Sequence, residues 1–361
     1  MFADLYKSEN VLLRESFGVR YPEKFTDPLA EYHALTTTAA MIDLCHWGVL
    51  RLTGADRVRL LNALVTNDVE SLPLGRACHS GLATVKGKLV AELFVLKRED
   101  ELFVLVAQGE TGAVAQAIDK HIIADDVTVR DESGEFGIMA VEGPASGAVV
   151  RRLFHDDPLP DDPLRFIDTD YLGTPFTVVR NSVTGEPGYH LVVPAGGAVL
   201  IRGYLIQSGR AEDMALAGWT AWNTRRVEAG LPWWGLDVAP GEQFPKECRL
   251  DGLVSYSKGC YLGQETLARM HYRGHPNRLL MGVVTAGTDN RDLPPAESEL
   301  YAPAHSSQTV GRVTSAVFSP ALDKPLLLGY VRTGFAEPGT DLVLRAGKLE
   351  RSVVITALPV K

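Results

Sequence analysis

Residues 48–69 read GVLRLTGADRVRLLNALVTNDV, a short apolar run, a glycine and then an amphipathic stretch. Val49, Leu50 and Leu52 fit a strand. Thr53 is the expected N-cap of the helix that follows, with Asp56 three positions on as an acidic variant of the capping box. Leu60, Leu61, Leu64 and Val65 recur at helical spacing and give that helix one apolar face. The same order returns in FGIMAVEGPASGAVVRRLF, residues 136–154, where Gly143 and Pro144 separate strand from helix. Two copies of strand–glycine–helix hint at an internal duplication.

Working outward, GLATVKGKLVAELFVLKREDELFVLVA (81–107) predicts strands with turns at Lys86-Gly87 and at Arg98-Glu99-Asp100, and a helix is expected from Thr111 to His121. PFTVVRNSVTGEPGYHLVVP (175–194) is a second β-rich stretch. The helix within AGWTAWNTRRVEAGLP (217–232) stops at Gly230 and Pro232. Beyond Arg278 the pattern changes to short strands between Pro and Gly turns, which reads as a separate all-β domain of roughly 80 residues.

With 361 residues the chain has room for two or three domains and a core that needs no disulfide staples. The charged N-terminus, MFADLYKSENVLLRESFG, has no apolar signal-peptide core, and no stretch approaches the roughly 20 apolar residues of a membrane span. A net charge of -9 argues against a nucleic-acid partner. The four cysteines, Cys45, Cys78, Cys248 and Cys260, form no C-x-x-C, so neither a zinc ribbon nor a thioredoxin-type site is written, and no metal site is expected. Sparse cysteine without a leader fits a reducing cytoplasm.

No G-x-G-x-x-G follows a strand, and neither H-E-x-x-H nor G-x-S-x-G occurs. Gly81 to Lys88 imitates a phosphate loop, but with one residue too many between its glycines and Leu89 where Ser or Thr belongs. Three candidates remain. Cys260 lies two residues after Lys258 and just ahead of an expected helix N-terminus at Gly263, with Glu265 and Arg269 as an (i, i+4) pair. Both features favour a thiolate, while a buried structural cysteine is the plainer alternative. Arg226 shares a helix face with Trp219, Trp222 and Ala229, either as half of an internal ion pair or as a fork for a carboxylate or planar ligand. Glu186, in the turn TGEPGY, is either solvated or a bidentate acceptor for an aminopyrimidine edge. Four of the five tryptophans fall between Trp219 and Trp234, as core or as the wall of a flat site.

Several segments together resemble one family. AMIDLCHWG, RLTGADRVRLLNALVTNDVESLPLG, VEGPAS, RNSVTGEPGYHL, RRVEAGLPWWGLD and VGRVTSAVFSP follow in order as in the glycine-cleavage T-protein (aminomethyltransferase) superfamily, from about His33 to Phe335. KGCYLGQETLAR resembles the signature of its folate-binding YgfZ branch, whose members support iron–sulfur cluster assembly or repair. The resemblance implies an α+β fold of two interleaved α/β domains around a central folate channel, plus a C-terminal β-barrel. The implied boundaries are 1–50 with 135–240, 51–134 with 241–277, and 278–361. It implies a tetrahydrofolate site with Glu186 on the pterin edge, Arg226 as a polar anchor, Trp47 in a methionine's place, and Tyr189. It makes Cys260 the functional thiol beside Lys258, supported by Gly259, Tyr261, Gly263, Gln264, Glu265 and Arg269, with iron–sulfur client or assembly proteins as partners. One departure stands out. Where catalytic T-proteins carry an Asp-Asp pair, GKLVAEL places Ala91 and then Glu92. Loss of the first acid implies that aminomethyl transfer is impaired. Folate-dependent aminomethyl transfer or demethylation, or folate binding without catalysis, are the alternatives.

Overall fold

The computed structural model describes residues 6, 11–16, 19–107, 109–154, 158–286, 291–303 and 305–360. Most of the N-terminal segment read for a leader lies outside them. Met1–Ala83, Ala91–Trp222 and Gly252–Leu262 form one compact unit; Thr84–Val90, Asn223–Asp251 and Gly263–Lys361 form a second. Among the described residues no helix is long and apolar enough to cross a membrane.

The first unit is built on two sheets. One is ordered Ala77–Ala83, Leu89–Lys97, Leu102–Val106, Gly48–Thr53, Thr128–Asp131. The other is ordered Phe166–Tyr171, Thr174–Arg180, Gly188–Pro194, Phe136–Glu142, Ala40–Asp43, Ala215–Ala217. Each contains one copy of the strand–glycine–helix unit. Gly54 and Gly143 both take positive φ, 101° and 118°, and in each a Cβ would strike a carbonyl, of Asp126 at 2.1 Å and of Thr38 at 2.7 Å. Only glycine lets the backbone pass there. The capping box expected at Thr53 does not form. Thr53 pairs with Thr128 as the last strand residue, and the helix runs Arg57–Leu64 after Asp56. The Asp56 carboxylate instead accepts from Asp126 N at 2.9 Å and from Arg59 at 3.1 Å.

Strand register decides what the site can contain. Phe94 pairs with Leu105, which pairs with Val49; Leu96 pairs with Phe103, which pairs with Arg51. This face looks toward the second sheet, because Phe103 meets Phe136 edge-on at 5.1 Å and Arg98 grips Asp168. The opposite face carries Leu93, Val106 and Gly48, and it looks toward the helix Thr111–Asp119. A Cβ on Gly48 would lie 1.7 Å from Thr111 Oγ1. Since side chains alternate along a strand, Ala91 belongs to the helix side and Glu92 to the inter-sheet side. The second sheet's helix side is covered by a core that includes Met139, Val141, Val149, Leu191 and Ile201.

In the second unit, the residues from Arg278 to Thr356 close a six-stranded barrel. Its order is Arg278–Thr285, Lys324–Arg332, His305–Ser319, Glu299–Ala302, Asp341–Ala346, Leu349–Thr356, and the last strand pairs back on the first. Leu300, Val313, Leu327, Leu344 and Ile355 fill it. Closure leaves no sheet edge to protect. The mixed α+β architecture with a C-terminal barrel is the one expected.

Candidate functional site

The inter-sheet face carries an acid. Glu92 Oε1 lies 2.6 Å from His79 Nε2 on the neighbouring strand. The His79 ring lies flat against Phe94, centroids 4.2 Å apart, and Phe94 meets Trp47 at 5.3 Å. Trp47 therefore forms part of an aromatic wall beside a carboxylate. Ala91, fully buried, turns its methyl to the helix side, and Glu92 takes the inter-sheet side.

Glu186 sits half-buried in the turn between two strands of the second sheet. A residue that sequence reasoning missed holds that turn. Glu142, fully buried, accepts from Ser182 Oγ and Val183 N at 2.7 Å, from Thr184 N at 3.0 Å and from Thr184 Oγ1. Thr184 Oγ1 in turn accepts from Glu186 N at 3.3 Å. His190 Nε2 lies 3.7 Å from the Glu142 carboxylate. Tyr189, expected at the ligand, points the other way. It belongs to the helix-side core, with the Arg180 guanidinium 4.8 Å over its ring. The alternation that brings His190 inward turns Tyr189 outward.

Arg226 is an internal ion pair and not an open anchor. It is fully buried; Nη1 donates to Asp237 and to the Leu231 carbonyl, Nη2 to Ser315 Oγ at 2.8 Å, and Nε to Asn223 at 2.9 Å. Asp237 is completed by Trp233 N, Thr314 and Ser315. Trp219, Trp222, Trp233 and Trp234 are buried as well.

The octet divides. Lys258 is buried, and its Nζ donates to three carbonyls at the C-terminal end of the helix Arg57–Leu64: Asn62 at 2.6 Å, Val65 and Asn67 at 2.7 Å. Burial pushes this ammonium down from 10.5 to about 8, so it stays protonated at neutral pH. The lysine thus staples the loop to the helix end, where a cation is favoured. Thr66 adds to the staple by donating to the Leu253 carbonyl at 2.6 Å and accepting, through its own carbonyl, from Ser255 N at 2.9 Å. Cys260 is exposed, unlike Cys78 and Cys248, which are buried. Tyr261 is buried with the Lys258 ammonium 4.8 Å over its ring, and burial pushes its hydroxyl up to about 12. Gly259 borders open space, and nothing in the structure explains a glycine there. In the second unit, Gly263 has φ 84° at the start of the helix Gln264–Arg273, and a Cβ would lie 2.5 Å from the Thr84 carbonyl. Gln264 is half-buried, and Glu265 and Arg269 form an exposed pair at 2.8 Å.

A cavity of about 320 Å³ opens in the same inter-sheet space, lined by Arg51, Arg98, Phe136 and Asp168 among others. Its arginines are matched, Arg51 to Glu101 and Glu132 and Arg98 to Asp168 and Glu101. Among the described residues no group of three or more His, Cys, Asp and Glu side chains is arranged to hold a metal ion.

Comparison with known proteins matches residues 2–258 to the GCVT N-terminal domain and residues 278–360 to the glycine cleavage T-protein C-terminal barrel domain. Similar proteins include the aminomethyltransferases of Cutibacterium acnes, 28% identical over 99% of this chain and 96% of that one, and of Bacillus subtilis, 28% identical over 98% and 96%. The crystal structure of the glycine cleavage system aminomethyltransferase T from Bartonella henselae superposes with a TM-score of 0.86 at 20% identity, covering 99% of this chain and 96% of that one, a likeness of fold.

Proposed function

Because the chain belongs to the glycine cleavage T-protein family, we propose that it binds a tetrahydrofolate on the inter-sheet side of the first unit and transfers a one-carbon unit to it, with aminomethyl transfer the first activity to test. The observation that carries this reading is Glu92, a largely buried carboxylate, 15% open, on the face that also bears Trp47. The residues fit a pterin in kind: a carboxylate, Glu186, on a turn pinned from beneath for the aminopyrimidine edge, and an aromatic wall for the ring. Names of relatives support the same reading, since those compared above are aminomethyltransferases. The residue boundaries implied for two interleaved domains and a barrel belong to this proposal. Titration of the purified protein with tetrahydrofolate, followed by tryptophan fluorescence, tests the site. Formation of methylene-tetrahydrofolate from an aminomethyl donor tests the transfer. Saturable quenching with no turnover would defeat the enzymatic reading.

A second reading is favoured by one observation, the exposed thiol of Cys260 within the YgfZ-like octet. On it the protein binds folate and supports iron–sulfur enzymes through Cys260. Full recovery of iron–sulfur enzyme activity by Cys260→Ala, in a strain lacking the native gene, would remove the thiol from that role.

A further inference from the structure

The second unit holds two cations that share a single acid. Lys88 and Arg278 are 25% and 38% open, and both face Glu247, a buried carboxylate that accepts from Phe244 N at 3.0 Å. Its oxygens lie 3.6 Å from Lys88 Nζ and 3.5 Å from Arg278 Nε, too far for good hydrogen bonds. Lys88 Nζ donates to the Glu242 carbonyl at 2.9 Å, and Arg278 Nη2 reaches the same oxygen at 3.4 Å, so these two nitrogens lie no more than 6.3 Å apart. Beneath the cations are rings, not further acids. The ammonium stands 3.5 Å over Phe244 and the guanidinium 4.9 Å over Tyr330. Most of the N–H donors of the two groups have no partner among the described residues.

Both groups are mounted on fixed backbone. Lys88 N donates to Thr84 Oγ1 at 3.1 Å, and the next residue, Leu89, bonds through its N–H to the Gln243 carbonyl at 2.9 Å and through its carbonyl to Gly241 N at 2.6 Å. Arg278 opens the first barrel strand, where Leu280 N donates to the Glu247 carbonyl at 2.7 Å. Burial lowers the Lys88 pKa from 10.5, with Glu247 opposing the shift and Arg278 adding to it. The two cations are thus close enough to repel, held in place, and left with one positive charge unmatched.

We propose that Lys88 and Arg278 form an oxyanion site that takes the carboxylate or phosphate group of a small molecule. The guanidinium fork fits two oxygens side by side, and the ammonium adds a point charge from the other flank. The site uses residues of the second unit alone and does not rest on the folate reading.

The test labels lysine Cε with ¹³C in the full chain and assigns Lys88 through Lys88→Arg. Its signal is followed against inorganic phosphate and, separately, glutarate, with sodium chloride holding the ionic strength constant. At least one anion is expected to move the signal to saturation with a Kd of about 1 mM, while chloride alone does not. Response to phosphate only assigns the site to phosphate groups, to glutarate only to carboxylates, and to both to oxyanions of either kind. Arg278→Met should raise the Kd about tenfold or more. Glu247→Gln keeps an acceptor for Phe244 N but removes the competing charge, so it should bind about threefold tighter. A signal unmoved by either anion up to about 50 mM overturns the site. Native affinity in Arg278→Met overturns it as well. If that variant does not fold, Glu247→Gln decides, and affinity no tighter than native overturns the site.

Discussion

A single buried carboxylate decides whether Glu186 has a defined position. Glu142 gathers four donors from Ser182, Val183 and Thr184, and no other anion is offered to them in the described contacts. Glu142→Ala leaves those donors buried without it, so a loss of about 2–4 kcal/mol in urea unfolding is expected, with tetrahydrofolate affinity falling about tenfold. Glu142→Gln recovers only part, because its NH₂ faces groups that also donate. Equal affinity in all three proteins would show that the turn does not position a ligand contact. Lys258 makes a second test, through pH. Its pKa is lowered from 10.5 to about 8 by burial, so between those values the unfolded chain binds more protons than the folded one. Stability from this group therefore rises with pH across that window. The difference in unfolding free energy between native protein and Lys258→Met should grow from pH 8 to 10.5, and a flat difference would show that burial does not depress this ammonium. At this scale the sequence was partly legible. Lys258 was singled out for its nearness to Cys260, but its carbonyl partners lie about 190 positions away, and no local spacing reports them. His79 lies on the strand that leads into the Lys86-Gly87 turn, next to the strand that carries Glu92, so the hairpin pattern brings the two strands together but does not say which side chains meet.

Elements form where their periodicity predicts and end where tertiary partners decide. The helix Trp219–Ala229 stops at Gly230 with φ 72°, as the Gly and Pro signals implied. The helix at residues 57–64 starts later than the capping signal because Thr53 is held in a strand ladder by Thr128, a partner 75 positions on. The two-residue alternation of the strand Leu89–Lys97 was legible in principle. Which of its faces met the second sheet was not, since that depends on Phe136 and Asp168 in another sheet. One element boundary offers a sharp test. Gly263→Ala faces both an unfavourable positive φ and a 2.5 Å approach to the Thr84 carbonyl. A loss of roughly 2 kcal/mol or more is expected by chemical unfolding, against about 1 kcal/mol or less for an ordinary exposed helix-start glycine. A variant as stable as native would mean that this turn and helix start are not packed as described.

For the molecule as a whole, the fold and the chemistry of the octet can be separated by thermodynamic linkage. A ligand that binds the folded state alone stabilises it by about 2.7 kcal/mol at 100 times its Kd. Saturating tetrahydrofolate should raise the unfolding free energy of the native protein by that order. Cys260 is exposed, and the loop bearing it is secured by Lys258 and Thr66, not by its own side chain. Cys260→Ala should therefore unfold within about 0.5 kcal/mol of native and gain the same increment from folate. Turnover measured on the same samples then divides the two functional readings. Transfer by the His79–Glu92 face predicts native rates from Cys260→Ala, whereas a thiol at the centre of the chemistry predicts intact folate protection with lost function. Loss of the folate increment itself in Cys260→Ala would contradict both, because it would tie the ligand site to a side chain that the fold leaves in solvent.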